Sequence, residues 1–282
     1  MSQICVFPGQ GAQKVGMGEA LFERYPEYVA KADEILGYSI RELCLENSAG
    51  RLSDTRYTQP ALFVVSALGF VARRDDGAAP CDFLAGHSLG EYTALFAAEA
   101  FDFETGLGLV KQRGALMAEV RGGGMAAVLG LDSTTIRARL EEGGFEEIDL
   151  ANQNSPKQTV IAGPRDAIDA CAPCLREAGG KVIVLDVSGA FHSRMMRPVA
   201  DEFLGYLKTV EFRPLATPVI ANVTGKPYEF DQLVATLAKQ IASPVLWADS
   251  VKYLLEQDDP TFEEIGPGKV LTGLIRQIRA AG

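Results

Sequence analysis

The residues Gly86-His87-Ser88-Leu89-Gly90 fit the pattern G-x-S-x-G, and the chain on either side gives that short pattern its meaning. An apolar run, Cys81 to Ala85, reads as a strand entering it, and Glu91 to Ala98 reads as a helix leaving it. Ser88 then stands on a sharp strand-to-helix turn, with glycines two residues before and after making room for it. Such a turn exposes the serine Oγ. It also aims backbone N–H groups, at the positive end of a helix, toward whatever that oxygen attacks. Leu89 N–H is the natural first donor to a developing oxyanion. Chance produces G-x-S-x-G readily in a chain with 29 glycines, so the flanking strand and helix are what point to nucleophilic catalysis.

A serine hydroxyl is a poor nucleophile without a base, and histidine is the usual one near neutral pH. The chain has two histidines. His87 is the sequence neighbour of Ser88, so its side chain diverges from Oγ at the turn; His192 is left as the general base. No carboxylate announces itself as a third member. Asp186 is the nearest acid before His192, and a backbone carbonyl is the alternative orienting partner.

Other chemistry is weakly supported. The five cysteines, at 5, 44, 81, 171 and 174, are odd in number and scattered, which is not a disulfide framework in a chain of this length. The single CxxC, Cys171 to Cys174, falls inside a segment of helical periodicity (166–177) rather than at a helix start, against a redox role. With no second CxxC and few histidines, no metal site is expected.

These residues must be positioned by a mostly α/β chain. Short apolar runs (4–7, 81–85) interleave with longer amphipathic ones (18–36, 59–71), which implies a mostly parallel sheet. After Gly122-Gly123-Gly124 the order becomes strand (125–130), helix (133–142), strand (148–152), strand (158–162), helix, strand (181–187), the β-α-β-β-α-β order of a ferredoxin-like unit. The Gly triplet and Ser188-Gly189-Ala190 read as two crossings between domains. The remainder returns to helix and strand alternation, with a strand at 219–223 and part of a helix at 249–256. The expected fold is a hydrolase-like α/β domain, residues 1–123 and 190–282, carrying a ferredoxin-like α+β subdomain at 124–189.

Composition bounds the partners. With 27 Lys plus Arg against 37 Asp plus Glu, the formal charge is −10, which argues against nucleic-acid binding. Hydrophobic residues at 47% and charged residues at 23% are ordinary globular usage, so the chain has material for a full core. The longest apolar run, Ala61 to Ala72, falls short of the ~20 residues a bilayer requires, and no export signal is visible. A soluble cytoplasmic protein is expected, a monomer with no membrane partner.

Three motifs occur together and in order: Phe7-Pro8-Gly9-Gln10-Gly11, Gly86 to Tyr92, and Gly189-Ala190-Phe191-His192-Ser193. Supporting stretches are Gln59-Pro60-Ala61, Arg113-Gly114, Asn222-Val223-Thr224-Gly225 and 266–274. In this set, which spans essentially the whole chain, the protein resembles the malonyl-CoA:acyl-carrier-protein transacylases. Residues 94–106 are similar to the free-standing members that serve polyketide synthases in trans. The resemblance implies a hydrolase-like domain with a ferredoxin-like insert, malonyl-CoA as substrate with no cofactor, and acyl carrier protein as partner. It implies that Ser88 takes the malonyl group as an ester and that His192 serves as base and acid, held by main-chain carbonyls, one of them from Gln240. It assigns the backbone amide of Gln10 to the oxyanion beside Leu89, and Arg113 to the malonyl carboxylate, which a guanidinium matches with parallel donors. Phe191 beside the α-carbon implies a preference for malonyl over methylmalonyl, an apolar discrimination of ~1–3 kcal/mol. Because coenzyme A and carrier proteins are themselves acidic, a local basic patch is expected, with Arg73, Arg74, Lys181, Arg194 and Arg197 as contributors.

Alternatives keep part of this reading. The same serine and histidine would serve a hydrolase clearing acyl groups from carriers or esters, the pathway would be fatty-acid synthesis, or the chain would be a docking module without chemistry.

Overall fold

The computed structural model describes residues 1–187 and 189–281. Its strands are β1 (Gln3–Phe7), β2 (Phe83–Gly86), β3 (Gly123–Leu129), β4 (Asp149–Ser155), β5 (Gln158–Pro164), β6 (Lys181–Val184), β7 (Val219–Ala221), β8 (Lys226–Pro227) and β9 (Thr261–Glu264). They form two sheets. One has the order β8-β7-β2-β1-β9, parallel except for the β7–β8 pair. The other, antiparallel throughout, has the order β4-β5-β3-β6, the arrangement of a ferredoxin-like unit. The fold class is therefore the expected one.

The helices are α1 (Glu19–Arg24), α2 (Pro26–Leu36), α3 (Ile40–Leu45), α4 (Thr55–Asp75), α5 (Gly90–Ala97), α6 (Phe103–Glu119), α7 (Ser133–Glu142), α8 (Arg165–Glu177), α9 (Arg197–Leu207), α10 (Leu233–Gln240), α11 (Trp247–Leu255) and α12 (Val270–Ala281). The amphipathic run 18–36 is broken at Tyr25, because Pro26 cannot continue the first helix and instead opens the second. The apolar run 61–72 lies inside α4, whose Asp54 side chain caps its first turn and whose residues 58–68 are all buried. That helix is a core helix. Among the described residues no helix is long and apolar enough to cross a membrane.

Three apolar clusters follow from this layering. The largest lies where α4, α5 and α6 pack on one face of the parallel sheet. A second, including Ile4, Val6, Ile220, Trp247 and Ile275, covers the other face under α11 and α12. The antiparallel sheet has its own, with Val128, Ile136, Ile161, Ile168 and Leu175 between strands and α7–α8. The chain's two passages between sheets lie side by side, since a Cβ at Gly123 would come within 2.4 Å of the Ala190 backbone nitrogen. Of the second passage read from sequence, Ser188 lies outside the described residues. The small sheet is tied to the large one through β4, where Gln153 N–H donates to Val245 O and Val245 N–H to Ala151 O, each at 2.9 Å.

One pairing corrects the cysteine reading. Cys5 and Cys81 form a disulfide, with Cα atoms 6.2 Å apart and a sequence separation of 76 positions. Parallel pairing of β1 with β2 brings them together, and sequence spacing carries no trace of it. Cys171 and Cys174 stay free within α8, where burial pushes the Cys171 thiol up to about 12, the opposite of a redox-active pair.

Candidate active site

The turn between β2 and α5 is built by glycines that admit no side chain. A Cβ on Gly86 would lie 1.9 Å from the Gly90 carbonyl carbon, and one on Gly90 would lie 2.0 Å from the Phe7 oxygen. Helix α5 is thereby pressed against β1, and Ser88 takes φ 52°, a left-handed conformation that a non-glycine residue adopts only when its surroundings over-determine it. Those surroundings are Asn222, just after β7. Its side-chain oxygen accepts from Ser88 N–H at 2.7 Å and its Nδ2 donates to Gly86 O at 2.6 Å. The Ser88 amide is thus committed to Asn222, which leaves the Leu89 and Gln10 amides as the donors available to a ligand.

His192 lies in the segment that follows β6 and returns to the turn, also with positive φ, at 60°. Its Nε2 lies 2.7 Å from Ser88 Oγ, and its Nδ1 lies 2.9 Å from the Gln240 backbone carbonyl. A carbonyl only accepts, so Nδ1 carries the proton and Nε2 offers its lone pair to the serine hydroxyl. Burial, reinforced by the nearby Arg113 charge, pushes the His192 pKa down to about 3, so the imidazole is neutral and its Nε2 lone pair is free to face the hydroxyl. Asp186 is not its partner; it lines a separate surface depression with Arg56 and Arg121. His87 points away as expected, its Nε2 2.8 Å from Asn154 Oδ1 on β4 and its ring beside Trp247.

Arg113, on α6, is not the solvated surface charge that an isolated arginine in a helix suggests. It is 1% exposed. Its Nη1 donates to Gln59 Oε1 at 2.7 Å, and its Nη2 donates to Gln240 Oε1 at 2.9 Å and to Ser88 Oγ at 3.1 Å. The guanidinium lies over the Tyr92 ring, and its Nε has no protein partner. Among the described residues no carboxylate touches it, an arrangement that is costly for a buried cation and that a ligand carboxylate would relieve.

Ser88, His192, Arg113, Gln10, Leu89 and Phe191 all line one cleft of about 270 Å³. The small sheet closes it with Met125, Asn152, Asn154 and Val160. Depressions of about 460 and 560 Å³ lie elsewhere on the surface, but neither is lined by a histidine. Gln240 is reached through its contacts with His192 and Arg113 and does not line the cleft.

The proposed basic contributors are not gathered at the cleft. Arg73, at the end of α4, pairs with Glu263, and Arg194 pairs with Asp149.

Four residues here had no role assigned from sequence. Gln59, Glu91 and Asn222 stand within stretches that carried the family resemblance, yet nothing in their types or spacing signals their contacts. Glu91 is a buried carboxylate that accepts from Asn222 N–H, Gln240 Nε2 and the hydroxyl of Tyr228, and Tyr228 had no sequence signal at all.

An α/β chain with a serine on a strand-to-helix elbow, a buried neutral histidine beside it and an unpaired arginine on the same oxygen belongs to the class built for acyl transfer. The comparisons agree: the model of the acyl transferase domain family matches residues 4–280, and the chain belongs to that family. It is 51% identical over 276 residues to the polyketide biosynthesis malonyl CoA-acyl carrier protein transacylase PksC of Bacillus subtilis, covering 97% of this chain and 96% of that protein. Among solved structures it is similar to a malonyl CoA-acyl carrier protein transacylase from Burkholderia pseudomallei, with TM-score 0.98 and 44% identity over 100% of this chain and 99% of that one. It is also similar to a malonyl-transacylase in complex with a type II PKS acyl-carrier protein, with TM-score 0.94 and 36% identity over 99% of this chain and 93% of that one.

Proposed function

We propose that this protein transfers malonyl groups from malonyl-CoA to the phosphopantetheine thiol of an acyl carrier protein, through an ester on Ser88, and that it supplies a modular polyketide synthase in trans. The observation that carries the reading is that one oxygen, Ser88 Oγ, meets both a general base and a buried cation, at 2.7 and 3.1 Å.

The malonyl carboxylate occupies Arg113, whose fork gives it parallel donors, and this places the thioester carbonyl over Ser88. Oγ attacks the carbonyl carbon as His192 Nε2 takes the hydroxyl proton. The oxyanion is held by the Leu89 and Gln10 amides at the start of α5 and the end of the β1 loop. As the C–S bond breaks, the imidazolium returns its proton to the departing coenzyme A thiolate. The carrier thiol repeats the sequence in reverse: His192 deprotonates it, it attacks the Ser88 ester, and the proton goes back to Oγ. Gln240 O keeps the imidazole in the tautomer both halves require. Phe191, buried at the cleft wall, crowds the α-carbon and favours malonyl over methylmalonyl.

No cofactor enters any step. The reading takes residues 1–123 and 190–282 as the catalytic domain and 124–189 as the subdomain that roofs the cleft, in a cytoplasmic monomer. The name of PksC supports the polyketide assignment over fatty-acid synthesis.

Incubation with malonyl-CoA and separate carrier proteins tests the acceptor. Malonyl transfer to polyketide synthase carriers should outrun both release of free malonate and transfer to a fatty-acid carrier. Faster release to water would make the protein a hydrolase, and preference for the fatty-acid carrier would move it to the other pathway.

A further inference from the structure

The elbow carries a second buried charge, for which the steps above have no task. Glu91, in the first turn of α5, is 0% exposed. Its carboxylate accepts from Asn222 N–H and from Gln240 Nε2, each at 3.1 Å, and from the Tyr228 hydroxyl. Three donors converge on it, so the pocket fits the ionised, acceptor-only form.

Gln240 is the hub of this arrangement. Its Nε2 donates to Glu91 and, at 2.8 Å, to the Ser88 carbonyl; its Oε1 accepts from Arg113; its backbone carbonyl accepts from His192 Nδ1. An amide side chain has two nearly isosteric ends, and only the oxygen end serves Arg113. An ionised Glu91, together with the Ser88 carbonyl, claims the nitrogen end and so fixes which way the amide faces. It also places a negative charge on the far side of Gln240 from an arginine that touches no carboxylate among the described residues.

We propose that Glu91 is a positioning residue for acyl transfer: its carboxylate locks Gln240 so that this one residue holds Arg113 against Ser88 Oγ and His192 in its base tautomer. For the task of Arg113 the inference rests on the transfer reading above; for the Ser88–His192 pair it does not.

Protonation of Glu91 weakens the acceptor shared by Asn222 N–H and Gln240 Nε2, two groups that can only donate, and leaves the Tyr228 hydroxyl as the one neighbour able to take the new proton in a hydrogen bond. The groups facing it are Tyr228, Asn222 and Gln240, with Arg113 of α6 and Tyr92 of its own helix beyond them. Burial raises its pKa to about 7, against the lowering effect of the Tyr228, Gln240 and Asn222 hydrogen bonds and the Arg113 charge. The two histidines of the site are held below their ordinary value by burial, His192 at about 3, so the general base itself supplies no titration near neutrality.

The test follows Ser88 acylation by p-nitrophenyl acetate, and in parallel by malonyl-CoA, between about pH 5.5 and 8.5, bracketing that value. In the native chain both rates should fall as pH drops through about 7. Glu91→Gln should be slower by about tenfold or more at the alkaline end, as for a misplaced catalytic group, and flat across the range. Tyr228→Phe keeps the carboxylate but loses a bond that favours its ionised form. It should retain the alkaline rate within about fivefold, the worth of one hydrogen bond, and its acid limb should move to higher pH. Three results would overturn the assignment: a Glu91→Gln rate equal to native, a Glu91→Gln rate that is lower but keeps the native acid limb, or an unmoved limb in Tyr228→Phe. If the native chain is acylated by the ester and not by malonyl-CoA, the transfer reading fails, and the ester series still decides Glu91.

Discussion

His192→Ala is expected to slow formation of the Ser88 acyl ester from malonyl-CoA by ~10²–10⁴-fold, the usual cost of losing a general base. The expectation comes from the short contact between Nε2 and Oγ and from the tautomer enforced by the Gln240 carbonyl. Because burial and Arg113 depress the imidazole to about 3, it is already unprotonated near neutrality, so the loss should be nearly independent of pH on the alkaline side of the Glu91 titration at about 7. The variant should also fail in the second half-reaction, since the carrier thiol needs the same base. Stopped-flow or quenched loading measured at several pH values reports both points. Loading within about threefold of native would remove His192 from the mechanism.

Arg113→Ala is expected to damage malonyl loading far more than acetyl loading. Truncating one member of a buried charge pair costs about 2–5 kcal/mol, roughly 30-fold to several thousand-fold in rate or affinity. Malonyl would leave its carboxylate unpaired in a closed cleft; acetyl has none to lose. Acetyl transfer should still decline somewhat, because Arg113 Nη2 also touches Ser88 Oγ. Competition between malonyl-CoA and acetyl-CoA, read as the ratio of the two kcat/KM values, isolates the carboxylate term. Equal losses for the two substrates would mean that Arg113 serves only the nucleophile.

What was legible in the sequence was whatever is local in the chain. The elbow could be read because strand, glycines, serine and helix are contiguous, and the ferredoxin-like order because its strands and helices alternate within about sixty residues of chain. The bounds of α7 are those read from sequence, and the break inside 18–36 had a sequence signal, Pro26, which opens the second helix. The contacts that complete the site are of another kind. His192 is oriented by a main-chain carbonyl, and every residue has one, so residue type gives no signal for Gln240 beyond family likeness. Asn222 and Glu91 act through pairings across more than 130 positions of chain, and the Cys5–Cys81 bond depends on two parallel strands whose adjacency sequence does not state. A buried arginine looks in sequence like any exposed one; only the packing of α4, α5 and α6 distinguishes Arg113.

Intact-mass analysis after brief exposure to malonyl-CoA tests the central claim most directly. The native protein should gain one malonyl unit, which a carrier-protein thiol then removes, and Ser88→Ala should gain none. A Ser88→Ala protein that acquires the same adduct at the native rate would contradict the account.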